Sequence, residues 1–193
     1  LSMSMTGHAG WRLGGIHDPS IRHAMAPYCY RCPLGLKPES CGTACAEDVG
    51  EVIRTTTSGR PAAFIAEPIG GSSSGAMVPS RDYWRAVAEL CNRYGLLLIA
   101  DEVLCGMGRT GRMFACEHFD LVPDILVLGK GLNAGALPLS AIVVRRPLVE
   151  LLAAGSGGFN HAQASSHHPA LCAAGLATLR SLVAERLVER VAR

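Results

Sequence analysis

Aromatic side chains are scarce in this 193-residue chain: two Trp, four Tyr and four Phe make up 5% of it. Charge of one sign is also lacking, since 18 Lys and Arg stand against 16 Asp and Glu for a net +2. With no dense basic cluster and few rings to stack on bases, the electrostatic footprint of a nucleic-acid binder is missing. Nor does any apolar run approach the roughly 18 residues that suggest a membrane span, so neither nucleic acid nor a membrane is an expected partner. The opening LSMSMTGHAG has neither a basic start nor a long apolar stretch. No secretory signal is therefore expected there, and a cytoplasmic location is.

What is present is apolar content, 49% of residues, enough for a globular chain of one domain's length. The chain begins at Leu1 and ends at Arg193 inside a helical pattern, which suggests an internal piece of a longer protein. Cysteine is abundant, with eight residues. Cys29, Cys32, Cys41 and Cys45 form C-x2-C and C-x3-C pairs separated by eight residues. Two readings stand open: a four-thiolate zinc module, or a cysteine-rich loop of reduced thiols. Cys91, Cys105, Cys116 and Cys172 occur singly and suit buried free thiols.

From residue 61 the pattern becomes regular. AAFIAEP (62–68), LLLIADEV (96–103) and DILVLGK (124–130) are short apolar runs bounded by Gly or Pro, as in strands buried on both faces of a parallel sheet. Between the first two, SRDYWRAVAELCNRYG repeats apolar residues at helical spacing, with Ser80 placed to cap its start and Gly95 to close it. Strand, helix, strand predicts an α/β fold with a mostly parallel sheet and flanking helices. LSAIVVRR (139–146) follows a connection too short for a crossover helix and is expected to run antiparallel. PLVELLAAG and the segment from His168 to Arg193 are expected to be helices, Pro169 suiting a first turn.

The ends of these runs carry the chemistry. They terminate in Glu67, in Asp101 with Glu102, and in Lys130, and ligands of open α/β sheets bind beyond the carboxyl ends of the strands. A lysine between glycines, facing a carboxylate on a neighbouring strand, is the set that pyridoxal 5'-phosphate (PLP) requires: an amine for a Schiff base and an acid for the pyridinium nitrogen. Gly106, Gly108 and Gly111 also spell G-x-G-x-x-G, and a nicotinamide-binding loop is the competing reading. It would need a helix starting at Gly108, for which RMFACEHFDLVPD is a poor candidate.

FIAEPIGG, LLIADEVLCGMGRTG, PDILVLGKGLNAGALPLSAIVV and HHPALCAAGLATL, taken in this order, resemble the class III aminotransferases, PLP enzymes of fold type I. The resemblance implies that Lys130 binds the cofactor covalently and shuttles the proton, and that Asp101 is the pyridinium partner. It also implies that Val103 packs on the ring and that Glu67 lies on the substrate side. Residues 1–150 would be a partial PLP-binding large domain lacking its N-terminal phosphate cup. Residues 151–193 would lead toward a C-terminal small domain. The implied activity is amino transfer from an amino acid or amine to a keto acid, in a homodimer, with the 193-residue piece inactive by itself. A decarboxylase, mutase or phospholyase of the same class remains the alternative, because the shared residues build the cofactor site and not the reaction outcome.

Two positions depart from the family pattern. Many relatives carry Gln after DEV, where this chain has Leu104. Where a family threonine reaches the phosphate of the partner subunit's cofactor, HAQASSHHP has Ala164. GGSSSG (70–75) reads as a loop and not a Walker cradle. His161, His167 and His168 read as a turn before Pro169 and Arg109 as a loop charge, so no metal ligand is assigned.

Overall fold

The computed structural model describes residues 2–8, 10, 12, 17–161 and 163–192. They divide into two compact units, Leu1–Ala62 with Gly70–Leu96, and Ala63–Ile69 with Leu97–Arg193.

The first unit is helical: α1 (Ser2–Met5), α2 (Ala44–Thr56) and α3 (Arg81–Tyr94). In α2 the buried residues are Ala46, Val49, Gly50 and Ile53, a single stripe at helical spacing. A Cβ on Gly50 would sit 3.3 Å from Leu90 of α3, so this glycine brings the two helices close. In α3 the Ser80 hydroxyl accepts a hydrogen bond from the Tyr83 amide at 3.1 Å, and Gly95 closes the helix at φ 67°. Both predicted caps are therefore in place. GGSSSG forms a tight turn, with the Gly70 amide donating to the Met77 carbonyl at 2.7 Å.

The second unit holds the sheet: β1 (Ala63–Ala66), β2 (Leu97–Asp101), β3 (Ile125–Leu128) and β4 (Ala141–Val144), in the order β1-β2-β3-β4. The first three strands are parallel and β4 is antiparallel, as expected. Asp124 ties the amino ends of β2 and β3 to the carboxyl end of β4, its carboxylate accepting from the Leu98 amide and from the Arg145 guanidinium, each at 2.9 Å. The expectation of strands buried on both faces is not met. Ile65 of β1 keeps an exposure of 36%, and β2 alternates between half-buried and buried residues.

Helices α4 (Arg146–Gly155), α5 (Pro169–Ala184) and α6 (Leu187–Val191) follow. The single helix expected from His168 onward is broken at Glu185 and Arg186, where Arg186 takes φ 51°. The physical reason is a tertiary contact: the turn brings Val188 to 2.9 Å from where a Cβ on Gly108 would stand, and Ala192 to 3.0 Å from the same point on Gly111. The core of this unit gathers Met107, Leu128 and Leu132, with Met113, Phe114, Leu139 and Leu179 packed against them.

Candidate active site

Lys130 leaves β3 through Gly129 and opens a 3-10 turn, Lys130–Asn133. The turn is fastened from below. Leu132 enters the core, its amide donates to the Gly129 carbonyl at 2.8 Å, and the fully buried Asn133 donates through Nδ2 to the Leu137 carbonyl at 2.8 Å. Lys130 itself is exposed and adopts φ +40°. A left-handed lysine is an uncommon, strained conformation that the surroundings must enforce.

Asp101 ends β2 and pairs in register with Val127. It is half-buried, and its Oδ1 accepts from the Val103 amide at 3.1 Å. Val103 in turn lies beside the lysine's strand end, for a Cβ on Gly129 would meet Val103 Cγ1 at 3.3 Å. Glu67 directly follows β1, whose last residue, Ala66, pairs with Ala100. Glu67, Asp101 and Lys130 thus share the carboxyl edge of three adjacent parallel strands, the place where ligands of such sheets bind. An amine, a carboxylate and a branched apolar side chain stand at that edge.

Sequence reasoning placed Glu102 at a strand end beside Asp101 without a role of its own, and the structure gives it a separate station. It is fully buried. Oε1 accepts from the Cys116 amide at 2.8 Å, and Oε2 accepts from the Ala115 amide at 2.9 Å and from the Cys105 thiol at 3.3 Å. Burial pushes the Cys105 thiol up to about 12 against a downward pull from the Ile69 backbone, and Glu102 and Glu67 add to the rise. The Cys116 thiol is also raised to about 12, by burial first and then by Glu102. Both sulfurs are therefore protonated donors at neutral pH. The signal in the sequence was strand alternation: the residue after a site-facing Asp101 points to the other face.

Gly108 and Gly111 of the glycine loop take φ 84° and 81°. The loop from 103 to 110 is turn, not helix, which removes the dinucleotide reading. Its glycines serve tight turning and the close approach of α6. In the first unit Cys29, Cys32, Cys41 and Cys45 line one small pocket as free thiols. Among the described residues no group of three or more His, Cys, Asp or Glu side chains is arranged to hold a metal ion. Among the same residues, no helix is long and apolar enough to cross a membrane.

A putrescine–pyruvate aminotransferase of Pseudomonas aeruginosa is 38% identical over 192 residues, covering 95% of this chain and 42% of that protein. A leucine/methionine racemase of Thermococcus litoralis is 36% identical over 195 residues, covering 97% and 41%. The crystal structure of an (S)-enantioselective omega-transaminase from Thermomicrobium roseum superposes with a TM-score of 0.87 at 37% identity, covering 97% of this chain and 42% of that one. The chain thus spans about two fifths of the length of these relatives. Residues 2–193 match the family model described as aminotransferase class-III, and the chain belongs to that family.

Proposed function

We propose that this chain builds the lysine and ring-carboxylate side of a PLP-dependent active site that transfers an amino group from an amino acid or amine to a keto acid. The observation that carries this reading is the placement of Lys130 and Asp101 on one sheet edge in a class III chain. The residues fit the cofactor: an exposed primary amine held in a strained turn, a half-buried carboxylate on the adjacent strand, and the Val103 methyls beside Gly129. When bound, PLP supplies an electron sink for the substrate's α-carbon electrons.

Lys130 would hold the cofactor through Nζ, and the same atom would carry the proton as general base and acid. Asp101 would be the partner of the ring nitrogen and would keep it protonated. Val103 would hold the ring by apolar contact, and Glu67 would lie on the substrate side. Leu104 and Ala164 supply no polar side-chain contact, so the phenolic oxygen and the phosphate depend on other groups. Residues 1–150 then belong to the cofactor-binding large domain and 151–193 lead on from it, in a cytoplasmic homodimer.

The test is product analysis. The protein, expressed in its complete reading frame with PLP, is given an amine donor and pyruvate, and alanine formation with loss of the amine is expected. Inversion of a single amino-acid enantiomer without a keto-acid requirement would instead favour racemisation, the activity named for the Thermococcus relative. Neither product would refute the reading.

A further inference from the structure

We infer that Glu102 is a positioning residue for the cofactor site: its buried carboxylate pins the loop that presents Asp101 and Val103 to the Lys130 turn. The inference rests on the PLP reading above. Burying a carboxylate is costly unless hydrogen bonds repay the lost hydration, and here three donors converge on it, the amides of Ala115 and Cys116 and the Cys105 thiol. The donors come from both ends of one loop. Cys105 lies just after β2, whereas Ala115 and Cys116 begin the 3-10 helix Ala115–Phe119.

The backbone of Glu102 is fastened as firmly as its side chain. Its amide donates to the Val127 carbonyl of β3 at 2.9 Å, and its carbonyl accepts from the Gly106 amide at 3.0 Å. A Cβ on Gly106 would stand 2.7 Å from that same carbonyl, so the turn after Glu102 admits only glycine without a shift. One residue before Glu102 is Asp101 and one after is Val103. Met107 in the same loop sits 3.0 Å from where a Cβ on Gly131 would be. Holding Glu102 therefore sets the carboxylate, the apolar side chain and the floor of the lysine turn together.

Charge and geometry are both required. The two amides approach different oxygens of Glu102, and a glutamine has only one acceptor oxygen. Its NH2 would face an N–H donor at the other position. Aspartate keeps the charge but falls one methylene short.

Glu102→Gln and Glu102→Asp, made in the complete reading frame, test this against the unchanged protein. Three readouts are taken: the melting temperature without cofactor, the PLP dissociation constant, and the pH midpoint of the visible absorbance of the lysine-bound cofactor. For Glu102→Asp the expected result is a melting temperature within a few degrees of the parent and PLP affinity weakened by roughly tenfold, as displacement of site groups predicts. For Glu102→Gln the same loss of affinity is expected, together with a shifted pH midpoint, because one of the two amides loses its acceptor and the loop that carries Asp101 is displaced. Folded variants with unchanged affinity and midpoint would overturn the inference. Loss of the fold in both variants would overturn it too, since Glu102 would then serve the fold and not the site. If the unchanged protein gives no visible absorbance with PLP, the PLP reading has failed instead.

Discussion

Val103 and Gly129 compete for one volume: a Cβ added to Gly129 would stand 3.3 Å from Val103 Cγ1. Gly129 has φ −170°, an extended backbone that any residue adopts, so the contact alone decides what a substitution does. Gly129→Ala is expected to fold with a loss of about 1 kcal/mol from overpacking and to weaken PLP binding by displacing Val103. Denaturant unfolding and cofactor titration measure the two effects. Unchanged cofactor affinity would argue that Val103 does not touch the ring.

Lys130 separates chemistry from backbone strain. Lys130→Ala and Lys130→Gly are both expected to abolish amino transfer and the visible absorbance of bound cofactor, since both remove Nζ. They should differ in stability. The left-handed φ of +40° favours glycine, so the glycine variant is expected to exceed the alanine variant by about 1 kcal/mol. Equal unfolding midpoints would refute the strained turn, and retained absorbance in either variant would refute the lysine assignment.

Asp101→Asn removes the charge while keeping the shape, including an oxygen able to accept from the Val103 amide. Cofactor binding is expected to survive. Turnover should drop by about 10²-fold or more, as when preorganised charge is lost from other active sites. Steady-state kinetics at saturating PLP decide the matter, and a loss under tenfold would remove Asp101 from the ring nitrogen.

The eight thiols should react in a defined order. Cys29 and Cys172 are exposed, whereas Cys105 and Cys116 are buried with pKa values raised from 9.0 to about 12. Since the thiolate is the nucleophile, iodoacetamide at pH 8 is expected to label Cys29 and Cys172 first and to spare Cys105 and Cys116 until unfolding. Peptide mass spectrometry reads the order. The raised values also predict alkaline sensitivity: the two thiols stabilise the fold fully below pH 9, and that contribution is lost as pH rises toward 12. Denaturation midpoints that stay level between pH 8 and 11 would contradict this.

Much of the architecture was legible because its causes are local. Ser80 and Gly95 mark the ends of α3 through their own hydrogen bonds and φ angles, and the apolar runs before Glu67, Asp101 and Lys130 match three parallel strands. The segment before β4 holds a 3-10 turn and no crossover α-helix, and β4 runs antiparallel as expected. Helix α2 has a buried stripe at Ala46, Val49 and Ile53 but was obscured by the cysteine pattern at its start.

Other features needed partners distant in sequence. Adjacent letters at 101 and 102 look like one acidic pair, yet Asp101 stands at the half-buried sheet edge while Glu102 is enclosed by amides from residues 115 and 116. The glycines of GMGRTG fit a dinucleotide pattern in one dimension. In three they admit Val188 and Ala192, and the same contact breaks the helix that periodicity alone would have continued through Arg186. Local propensity and strand alternation act within a few residues and can be read along the chain. Burial of a charge, strain at Lys130 and the approach of α6 are settled only when segments far apart in sequence compete for the same space.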